Sequence, residues 1–528
     1  MTTNIVLDNS VPPLTRINDV VELWADRSPD HIALVENAGS WTYRQLASAI
    51  SDTQAWLQRL GVRPGDRVMI VGENCRAFVT ILLAATGIDA WPVLVNARLS
   101  SREINEIRNH SGARRIFYTI SASQQAADHA KQDGAAVVEE LEGFGSIGIG
   151  PLNENAEPEP LEADVVNRVA ALIYTSGTTG LPKGVMLTHR NLLFMARGSV
   201  RVRSVTSDDR LYGVLPMSHA VGLSVVLLGS LLAGAALYLV PRFDPMAARV
   251  TLEKDGITLL LGTPAIFNQL LQYAKLRKIS SLRFPALRVI SSSGAPLDPA
   301  TKAGIEALFG MVLHNGYGVT ECSPTIALTR PERPRTDTSI GPPFPGIEIK
   351  LIGSDGHEVS SGEVGELRVR GPNIMKGYYH APEETAAAID AEGWFNTRDL
   401  ARLDDGNLMI VGRTKDLIVH RGFNVYPAEV EAVLNSHPAV VQSAVVGRSV
   451  GGDEEVVAFV QPLPDSCLTS IDLAEFAAQH LAQYKRPSQI LLVPSMPLTP
   501  TGKVIKSELR KLTAAYAANH AQMAQPRR

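Results

Sequence analysis

Residues 170–185 read Ala170-Ala-Leu-Ile-Tyr-Thr-Ser-Gly-Thr-Thr-Gly-Leu-Pro-Lys-Gly-Val185. The first five of them have the composition of a buried strand. In the loop that follows, three glycines allow backbone N–H groups to turn inward around an anion, four hydroxyl side chains add donors, and Lys183 adds a positive charge. The stretch therefore predicts a phosphate-binding loop after a buried strand.

The order Lys183-Gly184 separates this loop from the phosphate loop of kinases and GTPases, in which the lysine precedes Ser or Thr. A flexible Ser/Thr/Gly surface turn has a similar composition and is the alternative interpretation. The preceding strand, the density of hydroxyls and the central lysine favour the anion site.

Strand-like and helix-like segments alternate around this loop over much of the chain. A helical pattern at 75–87 lies between strand-like runs at 67–71 and 91–95. The alternation returns with apolar runs at 257–261, 287–291 and 311–314. Alternation of this kind predicts a large α/β unit with substantial parallel sheet.

The chain changes character twice after this unit. Residues 340–411 contain short strand signals separated by Gly, Pro and Asp turns, which predicts a β-rich lobe. After residues 412–416 a new alternation predicts a small α+β domain of about a hundred residues. We therefore expect a multi-domain α/β protein with a large domain at 1–414 and a small domain at 415–528.

Length and composition limit the possible classes of protein. A chain of 528 residues exceeds the roughly 250–300 residues that one hydrophobic core supports, so it must divide into domains. A hydrophobic content of 45% with 20% charged residues excludes a mainly disordered or fibrous chain. The formal net charge of −4 provides no chain-wide field for nucleic acid or anionic lipid, and neither partner is expected.

Three widely separated cysteines, Cys75, Cys322 and Cys467, argue against a disulfide framework or a cysteine-rich metal site. The first residues lack the basic start and apolar stretch of a secretory signal, and we expect a cytoplasmic protein. Residues 221–240 form an uncharged run as long as a membrane-spanning helix. Its interior glycines and strand-like end favour a buried helix followed by a strand, without stable membrane insertion.

The loop Tyr174-Thr-Ser-Gly-Thr-Thr-Gly-Leu-Pro-Lys-Gly-Val185 resembles the signature of the adenylate-forming superfamily, which contains acyl-CoA synthetases, luciferases and adenylation domains. Four further segments resemble that family's motifs in the same order: Tyr317-Gly-Val-Thr-Glu321, Trp394-Phe-Asn-Thr-Arg-Asp399, Gly412-Arg-Thr-Lys-Asp416 and Pro500-Thr-Gly-Lys503. The resemblance covers nearly the whole chain and implies a large N-terminal domain with a mobile C-terminal domain that begins near Lys415.

The resemblance implies a reaction in two halves. A carboxylate attacks the α-phosphate of ATP, pyrophosphate leaves, and an acyl-adenylate is formed. The thiol of coenzyme A then displaces AMP and yields a thioester. ATP, Mg²⁺ and coenzyme A are therefore the implied cofactors, a small carboxylic acid is the implied substrate, and the oligomeric state stays open.

The phosphate loop and the motif that ends at Glu321 are assigned to phosphate and metal. Glu321 is the candidate Mg²⁺ ligand, with Thr175 beside it, since magnesium favours one or two carboxylates together with phosphate oxygens. Thr320 is expected to donate its hydroxyl to a phosphate. The loop residues assigned to the nucleotide are Thr175, Ser176, Gly177, Thr178, Thr179, Gly180 and Lys183, of which Thr175 and Lys183 are also assigned to catalysis together with Glu321.

The nucleoside contacts are predicted from later motifs. Tyr317 offers an aromatic face to adenine and Asn315 its amide, with a simple turn after a strand as the alternative. Asp399 is expected to accept hydrogen bonds from the ribose diol, with local capping of a turn as the alternative, and Arg413 to supply a cation. Arg398, where the family most often has glycine, excludes a conformation open only to glycine and receives no role. Further predicted contacts are Gly294, Ala295, Pro296, Gly316 and Gly318.

The C-terminal assignments rest on the resemblance. The family's lysine at the position of Lys503 reaches the carboxylate and the α-phosphate during adenylation, and Lys503 receives that catalytic role. Lys415 falls at the family's hinge. Gly422 lies in a segment that resembles the lining of the phosphopantetheine channel. Tyr484 and Arg486 are predicted to contact the nucleotide end of coenzyme A, with an ordinary solvated surface as the alternative.

His219 is predicted to border the acyl pocket and to orient the substrate carboxylate, with a core histidine satisfied by a backbone carbonyl as the alternative. Amino-acid-activating relatives usually place Asp at the next position, where this chain has Ala220, and a buried ammonium without a counter-ion is costly. The other expected walls, at 292–296, 318–319 and 322–324, are small and mostly uncharged. We therefore expect an apolar monocarboxylic acid, either a medium- or long-chain fatty acid or an aromatic acid.

The expected enzyme is an ATP-dependent acyl-CoA ligase, an acid–thiol ligase that releases AMP and pyrophosphate. Residues 321–324 and 422–427 look more like the fatty acyl branch than the benzoate branch, and the 4-coumarate-like branch is a near neighbour. Two alternatives stay open: an acyl-AMP ligase that loads the phosphopantetheine of a carrier protein, and a pseudoenzyme that binds nucleotide without catalysis.

Overall fold

The computed structural model describes residues 13–141, 143–176, 182–421, 423–450, 453–464, 466–498 and 504–513. Their strands are β1 (Ile32–Glu36), β2 (Gly39–Thr42), β3 (Arg67–Gly72), β4 (Trp91–Asn96), β5 (Arg115–Tyr118), β6 (Ala136–Leu141), β7 (Gly145–Ile149), β8 (Val169–Ser176), β9 (Pro182–Thr188), β10 (Arg210–Gly213), β11 (Ala236–Leu239), β12 (Leu259–Gly262), β13 (Val289–Ser292), β14 (Leu313–Gly318), β15 (Thr325–Leu328), β16 (Glu348–Ile352), β17 (Val364–Arg370), β18 (Gly377–Tyr378), β19 (Phe395–Asp404), β20 (Asn407–Arg413), β21 (Ile418–His420), β22 (Phe423–Val425), β23 (Val440–Val450), β24 (Asp453–Pro462) and β25 (Gln489–Leu492).

Helices connect these strands. The α-helices are α1 (Asp19–Arg27), α2 (Tyr43–Arg59), α3 (Arg76–Gly87), α4 (Ser101–Ser111), α5 (Gln124–Gln132), α6 (His189–Arg203), α7 (Gly229–Ala233), α8 (Pro245–Lys254), α9 (Pro264–Leu276), α10 (Pro299–Phe309), α11 (Pro382–Ala388), α12 (Pro427–Asn435) and α13 (Ser470–His480). A π-helix spans Val221–Leu228, and short 3₁₀ turns lie at Val165–Asn167, Thr320–Cys322, Thr414–Asp416 and Gln483–Lys485.

Two eight-stranded sheets, parallel at their centres, form the large N-terminal domain. The first sheet has the strand order β15-β14-β13-β12-β10-β11-β1-β2, and the second has the order β18-β9-β8-β4-β3-β5-β7-β6. Every pair from β14 to β1 is parallel in the first sheet, as are the pairs from β5 to β8 in the second. The alternation in the sequence therefore produces parallel sheet, as predicted.

The connection from β3 to β4 shows how the sequence sets these elements. Strand β3 is buried on both faces, which suits its nearly continuous apolar run. The side chain of Cys75 caps α3 by accepting a hydrogen bond from the Phe78 N–H at 3.4 Å. Helix α3 is buried almost throughout, and its apolar side chains join a core that both sheets share.

Smaller sheets complete the architecture. The antiparallel sheet β16-β17-β19-β20 forms the β-rich lobe, and its apolar side belongs to the core of the large domain. Separate apolar clusters hold β21 to β25 together with α12 and α13. The predicted α/β fold with a β-rich lobe and a smaller C-terminal domain is confirmed, whereas the boundary at 414 and the mobility of the small domain stay predictions.

The segment that carries Asp399 is a strand rather than a turn. Strand β19 pairs with β17 on one side and with β20 on the other. Arg398 has a φ of +57° within it, and its N–H donates to Asn396 Oδ1 at 2.8 Å. Arg398 thus occupies the left-handed region that favours glycine, at a cost of roughly 1–2 kcal/mol that the surrounding strand pairs offset.

The uncharged run at 221–240 folds as a π-helix, then α7, then strand β11. Nearly all of its residues are buried in the core of the large domain, so the interpretation as a buried helix followed by a strand is confirmed. No helix within the described ranges is long and apolar enough to cross a membrane.

Two glycines of this run have different surroundings. A Cβ added at Gly222 would lie 2.0 Å from the Pro216 carbonyl oxygen, a backbone atom. A Cβ added at Gly229 would lie at an ordinary contact distance, 3.7 Å from Ser199 Oγ. Only the first position is closed to a larger side chain.

Replacing Gly222 by alanine is expected to lower the free energy of unfolding by about 1–3 kcal/mol, because the added methyl group forces the backbone to shift. Gly229→Ala is the matched control, and it is expected to be neutral or to stabilise by up to about 1 kcal/mol, since alanine is the better helix former. Urea unfolding measures both changes. Equal destabilisation by the two substitutions contradicts the packing argument.

Candidate active site

The predicted phosphate loop joins two antiparallel strands, β8 and β9. Thr175 lies opposite Lys183 in this hairpin. Because the loop leads into strand β9 and not into a helix, no helix N-terminus contributes to the predicted anion site. The predicted contacts Gly177, Thr178, Thr179 and Gly180 lie outside the described residues, as does the side chain of Ser176.

Lys183 and Glu321 meet at Tyr378, which the motifs did not indicate. The Tyr378 hydroxyl donates to Oε1 of Glu321 at 2.9 Å, and Lys183 Nζ lies 5.1 Å from the centroid of the Tyr378 ring. Burial, and next the charge of Glu321, raises the pKa of Tyr378, so the hydroxyl keeps its proton and acts as the donor. The predicted metal ligand and the predicted loop lysine therefore share one neighbour.

A bridging segment, residues 373–379, holds this arrangement in place. The Met375 N–H donates to the backbone carbonyl of Glu321 at 2.9 Å. The Lys376 N–H donates to the Met186 carbonyl at 3.0 Å, on the strand that carries the loop lysine. The bridging segment thus hydrogen-bonds to both halves of the phosphate site.

The two tyrosines of the bridging segment point to opposite sides. Successive side chains of a strand alternate between its faces, and β18 pairs with β9. Tyr378 accordingly reaches Glu321, whereas the Tyr379 hydroxyl donates to Oε1 of Glu159 at 2.6 Å. The backbone N–H of Tyr379 donates to the Gly184 carbonyl at 2.8 Å. Only Tyr378 therefore belongs to the site.

Asp399 connects β14 with the β-rich lobe. It is 2% exposed, its Oδ2 accepts a short hydrogen bond from the Tyr317 hydroxyl, and its Oδ1 accepts from Arg413 Nε at 2.8 Å. Asp399 and Arg413 are opposite each other in the β19–β20 pair. Each carboxylate oxygen keeps a second lone pair, so a ribose hydroxyl can still bind. The structure brings these three predicted nucleoside contacts together.

Other predicted contacts lie at the carboxyl ends of β13 and β14, which pair in parallel. This edge of an α/β sheet is where ligands usually bind. The Asn315 amide nitrogen donates to the Thr338 carbonyl at 2.8 Å, which fixes the orientation of the side chain. The predicted residues at this edge are Gly294, Ala295, Pro296, Asn315, Gly316, Gly318 and Thr320.

His219 lies on the loop between β10 and the π-helix. Its Nε2 atom is buried and has no hydrogen-bond partner in the described part of the chain. Burial, and next the charge of Arg98, lowers the pKa of His219 to about 4, so the ring is neutral at neutral pH. The free Nε2 argues against a core histidine satisfied through that atom. It suits a hydrogen bond to a substrate carboxylate.

Asn74 fixes the loop that carries His219. Its Nδ2 donates to the carbonyl oxygens of Gly213 and Leu215, both at 2.9 Å, and its Oδ1 accepts from the Met217 N–H at 2.9 Å. Asn74 is 4% exposed and follows β3 of the second sheet, whereas the loop follows β10 of the first. A side chain from one sheet therefore sets the loop of the other sheet that carries His219.

The structure describes only some of the predicted C-terminal contact residues. Lys503 and Gly422 lie outside the described residues. Lys415 is exposed in the 3₁₀ turn that follows β20. Tyr484 stacks on Phe423, with ring centroids 4.7 Å apart, in the segment predicted to line the phosphopantetheine channel.

Arg486 hydrogen-bonds to backbone carbonyls at the end of a helix. Its guanidinium donates to the carbonyl oxygens of Leu481 and Ala478, both at 2.9 Å. A basic side chain that satisfies the last carbonyls of a helix stabilises its C-terminal end, here that of α13. The role of Arg486 at coenzyme A stays a prediction.

The donor set fits magnesium bound with a nucleotide. No group of three or more His, Cys, Asp or Glu side chains that could hold a metal ion occurs among the residues that the structure describes. Magnesium is commonly held by one or two carboxylates together with substrate phosphates and waters rather than by a protein cage. The Glu321 carboxylate, which shares its neighbour Tyr378 with Lys183, fits that arrangement.

Comparison with known families decides the classification. The model of the AMP-binding enzyme family matches residues 21–379, and that of the AMP-binding enzyme C-terminal domain matches residues 429–503. The chain belongs to the AMP-binding, adenylate-forming enzyme family. The resemblance read from the five motifs is confirmed.

Individual relatives align over nearly the full length. The chain is 34% identical over 491 residues to a feruloyl-CoA synthase of Amycolatopsis sp., covering 92% of this chain and 97% of the relative. It is 33% identical over 492 residues to 4-coumarate–CoA ligase 3 of Oryza sativa subsp. japonica, covering 90% and 88%. The structure of ATP-bound MatB from Rhodopseudomonas palustris aligns with a TM-score of 0.82 and 28% identity over 94% of this chain and 99% of that chain.

This AMP-binding enzyme is accordingly an acid–thiol ligase, an acyl-CoA synthetase that works through an acyl-adenylate. ATP, Mg²⁺ and coenzyme A are its cofactors, and a small-molecule carboxylic acid is its substrate. The predicted enzyme class and cofactors are confirmed.

Replacing Asn74 by alanine is expected to raise the KM for the acid more than the KM for ATP, because the His219 loop loses three hydrogen bonds and shifts. Stability is expected to fall by about 1–3 kcal/mol, because the Leu215 carbonyl loses its donor and the Met217 N–H loses its acceptor. The control is Asn153→Ala, which removes a hydrogen bond of 3.4 Å to the Ala113 carbonyl. Equal changes in the two KM values contradict the role given to Asn74.

Proposed function

We propose that this enzyme joins coenzyme A to an aromatic monocarboxylic acid of the hydroxycinnamate class, with ATP as the activating agent. The observation that carries the adenylation half is the meeting of Lys183 and Glu321 at Tyr378. An ammonium and a carboxylate that binds Mg²⁺ at one point suit the triphosphate, whose charge must be offset while pyrophosphate leaves. The carboxylate of the acid attacks the α-phosphate of ATP, and AMP is transferred to the acid as pyrophosphate leaves.

The remaining residues divide between nucleoside and acid. Asp399, with Arg413 and Tyr317 beside it, receives the ribose, and the carboxyl ends of β13 and β14 receive the base. Lys503 keeps its proposed role of offsetting the charge that develops between carboxylate and α-phosphate. Loss of such a contact depresses the first half of the reaction more than the second.

The acid side of the site favours an uncharged body with one carboxylate. His219 is neutral, so it offers a hydrogen bond without a second positive charge. Ala220 is buried and provides no counter-ion for an ammonium group, which argues against amino acids. Aliphatic and aromatic bodies both satisfy these conditions. The feruloyl-CoA synthase and 4-coumarate–CoA ligase relatives support the aromatic choice.

A panel of acids with ATP, Mg²⁺ and coenzyme A tests the proposal. Ferulate and 4-coumarate are expected to exceed octanoate, palmitate and phenylalanine in kcat/KM by about 10-fold or more, the range that shape differences in an apolar pocket produce. Thioester formation is followed by absorbance, and ATP–pyrophosphate exchange without coenzyme A isolates the first half-reaction. A higher kcat/KM for octanoate or palmitate than for ferulate and 4-coumarate overturns the aromatic choice and favours a fatty acid substrate.

The thiol acceptor is tested with the same acids. Coenzyme A is expected to be acylated, and a holo carrier protein offered alone is expected to remain unloaded. Loading of the carrier protein without acylation of coenzyme A favours the acyl-AMP ligase instead.

A further inference from the structure

We propose that Tyr378 is a positioning residue for the metal site: its hydroxyl orients the Glu321 carboxylate that would hold Mg²⁺, and its ring holds Lys183 at the same site. The inference rests on the proposed function, in which Glu321 and Lys183 act on the phosphates of ATP. It adds a residue outside the five sequence motifs.

The hydroxyl acts on the carboxylate. Oε1 of Glu321 accepts from the Tyr378 hydroxyl at 2.9 Å, which restricts rotation of the carboxylate that would hold Mg²⁺. Hydrogen bonds to metal-binding side chains fix their orientation, and their loss typically weakens metal binding or activity roughly 10–100-fold.

The ring acts on the lysine. Lys183 Nζ lies 5.1 Å from the ring centroid, within the distance at which an aromatic face attracts a cation. An aromatic face draws the ammonium to one place without cancelling its charge. Lys183 therefore keeps its full charge for a phosphate oxygen while Glu321 is held by the other end of the same side chain.

The backbone of Tyr378 is fixed independently of both contacts. Its N–H donates to Thr385 Oγ1 at 2.9 Å, and β18 pairs with β9, with Tyr378 opposite Val185. The hydroxyl and the ring therefore act from a rigid base. A side chain on such a base can impose an orientation on Glu321 instead of following it.

Adjacent tyrosines provide a matched pair of variants. Tyr378→Phe removes the hydroxyl on Glu321 and keeps the ring under Lys183, and Tyr378→Leu removes both contacts. Tyr379→Phe removes a hydroxyl of the same kind from Glu159, on the opposite face. Both phenylalanine variants remove one tyrosine hydroxyl from the bridging segment. An effect of that loss alone therefore occurs in both of them.

Two measurements test the inference. The Mg²⁺ dependence of ATP–pyrophosphate exchange with ferulate gives a half-saturating concentration, and electron paramagnetic resonance of Mn²⁺ with a non-hydrolysable ATP analogue gives metal binding without turnover. Tyr378→Phe is expected to raise the half-saturating Mg²⁺ concentration about 10-fold and to weaken Mn²⁺ binding in parallel, with the KM for the acid unchanged. Tyr378→Leu is expected to lower kcat as well, because it also removes the ring from Lys183. Tyr379→Phe is expected to match the parent enzyme.

The outcomes separate this inference from the proposed function. Unchanged Mn²⁺ binding in Tyr378→Phe overturns the inference, and so does an equal loss in Tyr379→Phe, which marks a purely structural effect. Glu321→Gln serves as the reference. If Glu321→Gln leaves Mn²⁺ binding intact, the metal role of Glu321 in the proposed function fails. If it abolishes binding while Tyr378→Phe does not weaken it, only the role of Tyr378 fails.

Discussion

The site depends on backbone hydrogen bonds that join two sheets. Glu321 follows β14 of the first sheet, and Lys183 lies on β9 of the second. The bridging segment at 373–379 donates to the Glu321 carbonyl on one side and to β9 on the other. Buried backbone groups need partners, so this junction strongly favours one relative position of the two strands. Lys183 and Glu321 both contact Tyr378 because the main chain brings their segments together there.

Charge is distributed unevenly between the two ends of the site. At the nucleotide end, Asp399 is paired with Arg413, and Glu321 accepts a hydrogen bond from Tyr378. Partners of this kind offset the cost of burying a carboxylate. At the acyl end, His219 is neutral because burial disfavours its charged form. In the proposed function, the first end receives phosphate charge and the second receives an uncharged organic body, which is what activation of an apolar acid requires.

Residues within short sequence motifs could be assigned from the sequence, whereas contacts between segments far apart in the chain could not. Motif residues such as Glu321 and Asp399 could be assigned because each lies in a short segment that resembles a motif of the family. Asn74 contacts a loop 139 to 143 residues away, and Tyr378 contacts a residue 57 positions earlier, so no local pattern indicates either contact. Arg486 shows the converse, since a basic residue beside an aromatic one does not reveal that its guanidinium caps α13.

One turn connects the π-helix with the residue proposed to bind magnesium. The Ser323 carbonyl accepts from the Ser224 hydroxyl of the π-helix at 2.7 Å, and the Ser323 hydroxyl donates to the Asn373 carbonyl at 2.8 Å. Ser323 has a φ of +67°, in the left-handed region, so little backbone freedom remains for the turn that also carries Glu321. A displacement of the π-helix would therefore be transmitted to the turn that carries Glu321. In the proposed function, this turn connects the acyl side of the site with the metal side.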